Sequence, residues 1–181
     1  MKHTIFTDGS AQGGNPGIGG WGMIVFDETE MNVVDYVHHN QIPQATNNQM
    51  ELRAMLCALQ YASDHPDIQF IIYSDSSYVV NSCNEWIWNW AKNGWVNSKK
   101  KTVENLDLMK EIYSYLSRDF FNVVIRRCPG HSEIIGNELA DALATGAMKK
   151  FFDMAEDYQV SFSLPTDAIT EVRNHSLFFP S

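Results

Sequence analysis

Cysteine, positive charge and long apolar runs are all scarce in this chain of 181 residues, and each shortage excludes a class of protein. The three cysteines (Cys57, Cys83 and Cys128) are an odd set without the spacing of metal ligands. They argue against a disulfide framework and indicate free buried thiols in a reducing compartment. No apolar run approaches the length of a membrane span, and the first residues lead into a strand instead of a secretion signal. We therefore expect a cytoplasmic protein that makes no membrane contact.

The shortage of positive charge is uneven along the chain. There are 13 Lys and Arg residues against 22 Asp and Glu residues, and the formal net charge of −9 argues against a nucleic acid partner. Between Trp86 and Lys101, however, there are four lysines and no acidic residue. Because binding to nucleic acid depends on where the cations lie, this segment keeps a nucleic acid partner open.

Hydrophobic periodicity predicts one α/β domain over residues 1–150. Strands are expected at residues 3–8, 18–27, 32–39, 70–73 and 122–126, and helices at 48–62, 76–84, 103–116 and 134–150. This order predicts a mixed sheet with helices packed on it. Residues 151–181 are acidic on balance and carry no long periodic pattern, so we expect a C-terminal extension that is partly docked and partly mobile.

A glycine-rich turn imitates a dinucleotide-binding loop. Residues 17–22 match the pattern G-x-G-x-x-G. That motif requires a helix after its glycines, whereas the residues from Met23 to Phe26 have the pattern of a strand. The sequence therefore argues against a dinucleotide site.

Four carboxylates occur in settings where an unpaired charge would be costly. Asp8 and Asp75 each follow a short apolar strand, Glu51 lies on the apolar face of its predicted helix, and Asp141 lies between alanines within a helix. Each has a simpler explanation: Asp75 could be a helix N-cap, Glu51 a charge favoured by the helix dipole, and Asp141 a solvent-facing residue. Together they describe two strand-end aspartates and two helix-borne acids that face inward.

Such a cluster of carboxylates requires cations. Clustered acids repel one another and raise their own pKa values unless divalent cations neutralise them. Hard oxygen ligands without cysteine point to Mg²⁺, with Mn²⁺ as a substitute, and argue against zinc. The reaction that such a site serves best is in-line phosphoryl transfer with two metal ions.

Five segments of the chain resemble the motifs of type 1 ribonuclease H. They are Thr7-Asp8-Gly9-Ser10, Thr46-Asn47-Asn48-Gln49-Met50-Glu51-Leu52-Arg53-Ala54, Tyr73-Ser74-Asp75-Ser76, Gly130-His131-Ser132 and Asn137-Glu138-Leu139-Ala140-Asp141. The resemblance runs in order from about residue 3 to residue 148. It implies a ribonuclease H-like α/β fold, with a five-stranded mixed sheet of three antiparallel N-terminal strands and two parallel ones, flanked by helices.

The same resemblance implies Mg²⁺-dependent endonucleolytic cleavage of the RNA strand of RNA–DNA hybrids, with 5′-phosphate and 3′-hydroxyl products. Asp8, Glu51, Asp75 and Asp141 would be the catalytic metal ligands. His131 matches a mobile histidine that assists proton transfer or product release, and its pKa range suits that task. The alternative is a surface loop histidine. Glu138, one turn before Asp141, could share the work.

Substrate contacts are also implied by the resemblance. Asn15, Thr46, Asn47 and Asn48 would contact the RNA backbone and the minor groove, where amides and hydroxyls can recognise 2′-hydroxyl groups. Asn47 or Asn48 could instead cap the helix. A basic handle at about residues 86–101 would hold the DNA strand, and its contact residues would be Trp86, Lys99, Lys100 and Lys101. For Trp90 and Trp95 we expect a small local core.

The end of the chain carries one further hypothesis. Residues 174–181 loosely resemble peptides that bind sliding clamps, which would bring the enzyme to DNA replication forks. The simpler alternative is an apolar end that docks on the domain.

Two other functions fit part of this sequence pattern. A related nuclease, such as a resolvase or a transposase-like protein, is disfavoured by the handle and by the spacing of His131 and Asp141. A catalytically silent hybrid-binding module is disfavoured because all four acids are present.

Overall fold

A mixed β-sheet forms the centre of the computed structural model, which describes residues 1–27, 32–119, 121–128, 134–147 and 158–162. The strands are β1 (Lys2–Gln12), β2 (Gly17–Asp27), β3 (Asn32–Ala45), β4 (Gln69–Ser74) and β5 (Val123–Arg127). Their order is β5-β4-β1-β2-β3, in which β1, β2 and β3 are antiparallel and β1, β4 and β5 are parallel. The predicted five-stranded sheet and its strand directions are confirmed.

A sixth strand joins the sheet from the C-terminal extension. β6 (Tyr158–Phe162) pairs antiparallel with β3 at the edge of the sheet, in a register that sets Val33 opposite Phe162. This strand was not predicted, although Tyr158, Val160 and Phe162 alternate with two polar residues at the period of a strand. The predicted positions His131 and residues 174–181 lie outside the described residues.

The helices are α1 (Asn47–Asp64), α2 (Ser77–Asn81), α3 (Ile87–Lys92), α4 (Leu106–Leu116) and α5 (Ile135–Thr145). A π-helical turn, Ser82–Trp86, joins α2 to α3. Helix α5 ends at Gly146, whose φ of 77° is a left-handed conformation that suits glycine at the end of a helix. In the described part of the chain, no helix is both long and apolar enough to span a membrane.

Two apolar clusters cover opposite faces of the sheet. Ile5 of β1 belongs to the cluster beneath α1 and α4, which includes Leu59 and Met109. The next residue, Phe6, belongs to the cluster beneath α5, which includes Leu143. Because successive side chains of a strand point to opposite faces, β1 is buried on both sides and its apolar run is continuous.

Strands β1 and β3 extend further than the sequence predicts. β1 continues past Asp8 to Gln12 because β2 stays paired with it, with Asp8 opposite Gly22 and Gln12 opposite Ile18. β3 likewise continues to Ala45, directly before α1. Asp8 therefore lies within a paired strand and not at its end, which holds its backbone in a fixed position.

Candidate active site

Asp8 and Glu51 are brought together by a close approach between β1 and α1. A Cβ atom added to Gly9 would meet the backbone of Met50 and Glu51, so only glycine permits this packing. Glu51 follows one turn into α1, and its side chain is directed at the strand. Asp8 and Glu51 are only 5% and 8% exposed. The glycine after Asp8 is therefore the reason that a helical glutamate can reach a strand aspartate.

The start of α1 is fixed by a capping box. The Thr46 hydroxyl accepts a hydrogen bond from the Gln49 backbone N–H at 3.1 Å, and the Gln49 side chain accepts one from the Thr46 N–H at 3.1 Å. Two of the N–H groups that a helix leaves unpaired are thereby satisfied. The suggestion that Asn47 or Asn48 caps this helix is wrong, since Thr46 is the N-cap.

Asp75 completes a cluster of three carboxylates. Ligand atoms of Asp8, Glu51 and Asp75 all lie within 4.8 Å of one another. The alternative that Asp75 is an N-cap is wrong, because the Ser76 hydroxyl caps α2 by accepting from Val79 N–H at 3.2 Å. Asp75 is instead in contact with α5, where the Asn137 amide donates to its Oδ2 at 3.5 Å.

Burial makes this cluster electrostatically costly. Desolvation, with the charges of Asp75 and Asp141, raises the pKa of Asp8 from 3.8 to about 7. The pKa of Glu51 is also raised well above its ordinary value, first by desolvation and then by the charge of Asp8. The Gly9 N–H opposes both shifts and donates to Asp8 Oδ1 at 2.8 Å. The acids therefore compete for protons near neutral pH.

The donor set fits a divalent cation. Glu51 Oε2 is buried and has no hydrogen-bond partner in the described part of the protein, although a buried carboxylate oxygen without a partner is costly. The three neighbouring side chains offer only oxygen, which suits Mg²⁺ or Mn²⁺ and not zinc. A cation held between them would satisfy the unpaired oxygen and offset the repulsion.

Asp141 lies on α5 but not in the inward orientation that its sequence context suggested. Its side chain is exposed, while Ala140 and Ala142 on either side of it are buried against the sheet. It does not belong to the group within 4.8 Å, yet its charge still contributes to the raised pKa of Asp8. The small neighbours thus pack the helix closely, and Asp141 faces the solvent side of the cluster. Glu138 is exposed as well.

Two asparagines on or against α5 have contacts that the sequence did not indicate. Asn137 is 8% exposed, and its Oδ1 has no partner among the described residues. Asn40 of β3 donates from Nδ2 to the carbonyl oxygens of Leu143 and Ala144, at 3.0 and 2.7 Å, and so ties the last turn of α5 to the sheet. Asn137 begins one of the segments that resemble ribonuclease H motifs but had no role of its own there, and Asn40 lies among polar residues of a kind that are common at the surface.

The predicted RNA contacts cluster at the start of α1. The Asn47 N–H donates to Asn15 Oδ1 at 3.0 Å, and Asn47 Oδ1 accepts from Ala11 N–H at 2.7 Å. These bonds join the β1–β2 turn to α1. Asn15, Asn47 and Asn48 are exposed, whereas Thr46 is half-buried in its cap.

The handle, at about residues 86–101, consists of the end of the π-helical turn, α3 and the loop after it. Trp90 and Trp95 pack against the core, as expected, while Trp86 remains 36% exposed. The Asn97 Oδ1 accepts from the backbone N–H groups of Lys99 and Lys101 at 2.9 and 3.1 Å, which closes a tight turn. The three side chains at 99–101 are exposed on that turn. The handle therefore presents an aromatic ring and three cations to solvent.

Comparisons with known proteins agree with this geometry. The family model for RNase H matches residues 1–149. A ribonuclease H from Francisella tularensis subsp. novicida is 43% identical over 143 residues, covering 79% of this chain and 88% of that protein.

Two solved structures are similar as well. LC9-RNase H1, a type 1 RNase H with the type 2 active-site motif, has a TM-score of 0.72 at 23% identity and covers 99% of this chain and 88% of that one. A foamy viral protease–reverse transcriptase in complex with an RNA/DNA hybrid has a TM-score of 0.67 at 27% identity and covers 82% of this chain. Only 20% of the viral chain is spanned. The chain belongs to the ribonuclease H family of nucleases.

Proposed function

We propose that the protein hydrolyses the RNA strand of RNA–DNA hybrids internally, leaving 5′-phosphate and 3′-hydroxyl ends. The observation that carries this proposal is the buried cluster of Asp8, Glu51 and Asp75, with ligand atoms within 4.8 Å of one another. Support for a hybrid substrate comes from the similarity to a viral enzyme whose structure contains an RNA/DNA hybrid.

The cofactor in this proposal is Mg²⁺, two ions with substrate bound, and Mn²⁺ can substitute. Asp8, Glu51, Asp75 and Asp141 would hold the ions, and the exposed position of Asp141 leaves room beside it for substrate. When bound, the ions supply activation of water and stabilisation of the leaving oxygen in an in-line displacement. The carboxylates themselves orient this centre, and burial keeps bulk water from screening it.

Proton transfer is assigned to side chains of the β5–α5 region. His131 would accept or hand on a proton near the cluster, because an imidazole titrates close to neutral pH. Glu138 is the second candidate, and its exposed position one turn before Asp141 supports that assignment. Replacing each by a non-titrating residue would separate the two contributions in the pH profile of kcat.

Substrate recognition is assigned to two surfaces. Asn15, Thr46, Asn47 and Asn48 would contact the RNA strand. Since the oxygens of Asn15 and Asn47 accept hydrogen bonds within the protein, their NH₂ groups are the parts suited to 2′-hydroxyl recognition. The handle would hold the DNA strand, with Trp86 against a sugar or base and the side chains Lys99, Lys100 and Lys101 against phosphates.

The organisation of the chain completes the proposal. Residues 1–150 would be the catalytic domain of a cytoplasmic enzyme, and the family match over residues 1–149 supports that boundary. Residues 151–181 would be an extension, docked at β6. Contact of residues 174–181 with a sliding clamp remains a prediction. Equal recovery of the clamp with and without these residues in a pull-down would contradict it.

The deciding experiment compares three labelled duplexes of one sequence: an RNA–DNA hybrid, double-stranded RNA and double-stranded DNA. With Mg²⁺, only the RNA strand of the hybrid should be cut, and EDTA should abolish cutting. Cleavage of all three duplexes, or cleavage that survives EDTA, would refute the proposal. Tight hybrid binding without cleavage would favour the silent binding module. A branched DNA junction is added as a fourth substrate, and cutting of that substrate alone would favour a resolvase.

A further inference from the structure

Two arginines stand at the end of β5, beside the carboxylate cluster but outside every role assigned so far. Arg126 and Arg127 are the last residues of this strand, and both are exposed. β5 is the edge strand of the sheet, so nothing in the described structure pairs with its outer side. We name these residues the β5 arginine pair.

The register of the sheet places this pair close to Asp75. Arg126 lies opposite Tyr73 and Arg127 opposite Ser74, and the Cys128 N–H donates to the Ser74 carbonyl at 2.8 Å. With strands about 4.8 Å apart and a rise of about 3.3 Å per residue, their Cα atoms lie roughly 8 and 6 Å from that of Asp75. If one phosphate of a nucleic acid is held at the carboxylate cluster, the adjacent phosphates therefore lie within reach of an arginine side chain.

The two faces of β5 explain why both guanidinium groups reach solvent. Ile125 is buried beneath the α1 side, so Arg126 belongs to the α5 side of the sheet, the side of Tyr73. Helix α5 lies over β1, β2 and β3 and leaves β5 open, which is why Val124, on the same side as Arg126, is 49% exposed. Arg127 lies on the opposite face, as the last residue of β5.

Charge makes the position of this pair unusual. The formal net charge of the protein is −9, and Asp8, Glu51 and Asp75 are close by, yet neither guanidinium group forms an ion pair or hydrogen bond within the described structure. Both side chains are exposed, so the guanidinium groups remain available to an external anion.

We propose that the β5 arginine pair binds phosphates of the scissile strand next to the cleavage site. This inference rests on the proposed function, because the scissile phosphate must lie at the carboxylates. Phosphates one nucleotide away on the same strand are covalently tied to it, whereas those of the complementary strand lie across a groove. The planar guanidinium group suits such contacts, since it donates two parallel hydrogen bonds to phosphate oxygens. The handle lysines and this pair would then hold opposite strands of the duplex.

The test measures hybrid binding as a function of salt in the Asp8→Asn background, which prevents cleavage. Affinity falls as salt rises, so the slope of log affinity against log salt is negative. Each lost phosphate contact should reduce the magnitude of this slope by about 0.7–0.9. We expect that reduction for Arg126→Ala and for Arg127→Ala, and about twice as much for the double variant. Unchanged slopes in correctly folded variants, checked by urea unfolding, would overturn the proposal.

Arg118→Ala is the matched control. Arg118 donates to Ser63 Oγ at 2.6 Å, and its guanidinium lies 4.4 Å from the centre of the Tyr115 ring. Ser63 lies roughly 18 Å along α1 from Glu51, at about 1.5 Å per residue, so this variant removes the same charge far from the cluster. Its slope should equal that of the parent. An equal reduction of the slope in Arg118→Ala, Arg126→Ala and Arg127→Ala would show a general charge effect and overturn the assignment.

A second arm identifies the strand. Single phosphates of the hybrid are replaced by uncharged methylphosphonates, either on the RNA strand beside the cleavage site or on the DNA strand. Neutralising the RNA-strand position should weaken binding by the parent but not by the double variant. If only methylphosphonates on the DNA strand weaken binding by the parent and not by the double variant, the assignment to the scissile strand is wrong. Wild-type cleavage of the same hybrid tests the proposed function separately, because cleavage with unchanged slopes would remove only the arginine proposal.

Discussion

Replacement of Asp8 by asparagine tests the electrostatics of the carboxylate cluster directly. Asparagine has nearly the same shape, keeps an oxygen that can accept from the Gly9 N–H, and carries no charge. Burial and neighbouring acids raise the pKa of Asp8 to about 7, so its ionised form is disfavoured in the folded protein. We therefore expect Asp8→Asn to fold, to lose cleavage, and to be more stable than the wild type above neutral pH.

The size of this effect follows from the linkage between proton binding and folding. The folded wild type keeps the Asp8 proton up to about pH 7, whereas the unfolded chain releases it near the ordinary value of 3.8. Between these values the folded state binds more protons, so the wild type loses stability as the pH rises. A pKa difference of about 3 corresponds to about 4 kcal/mol. The advantage of Asp8→Asn should therefore grow towards about 4 kcal/mol between about pH 4 and about pH 8.

Urea unfolding followed by tryptophan fluorescence measures this difference. Both proteins are unfolded in EDTA over the same pH range, and the free energies of unfolding are subtracted. The difference removes titrating groups that do not interact with Asp8, while Glu51, whose pKa the charge of Asp8 raises, adds to the advantage of the variant. Added Mg²⁺ should reduce the advantage of the variant, because a cation neutralises the wild-type acids. If the two stability curves run parallel from acid to alkaline pH, Asp8 does not carry the electrostatic cost assigned to it. An unfolded variant would mean that Asp8 is structural.

Two further predictions concern residues that position the acids. Gly9→Ala should destabilise the protein by about 1–3 kcal/mol, because the new methyl group meets the α1 backbone. It should also lower kcat by about 100-fold, since a displacement of Glu51 by about 1 Å is enough for that loss. Gly94→Ala is its control: a Cβ there meets open space, but the φ of 72° strains alanine, so this variant should lose stability while kcat at saturating hybrid stays near wild type. An equal loss of kcat in both variants would contradict the packing argument. Asn40→Ala and Asn40→Asp should each cost about 1–3 kcal/mol, because both remove the donor to the last turn of α5. Amide hydrogen exchange should accelerate in α5 of these variants and not in α4; unchanged exchange in α5 would show that Asn40 does not anchor that helix.

The sequence predicted the elements of the domain well because its strands are buried on both faces. The run from Phe70 to Tyr73 is apolar without interruption, and such a run has few alternatives to a central strand. The α1 pattern was equally clear, and it directed Glu51 at the sheet. The meeting of Asp8, Glu51 and Asp75 could therefore be predicted from periodicity together with the resemblance to a known family.

Features that depend on exact packing could not be predicted. Ser76 and Asp75 are both good N-cap residues, so only the structure shows that the hydroxyl caps α2 and leaves the carboxylate to the cluster. Asp141 has alanine neighbours that suggest a buried face, yet the helix is rotated so that the alanines pack and the acid does not. The π-helical turn at Ser82–Trp86 has no periodicity of its own, and its extra residue per turn arises from packing.

The contact between Gly9 and α1 has a consequence for protein engineering. The buried face of α1, which includes Leu52, Met55 and Leu59, packs on the same sheet that carries Asp8. A larger or smaller side chain at any of these positions would tilt α1 relative to the sheet. The tilt would change the distance from Glu51 to Asp8. Variants with random substitutions in this part of the core should therefore lose activity as readily as variants of the metal ligands Asp8 and Glu51, although these core side chains are buried.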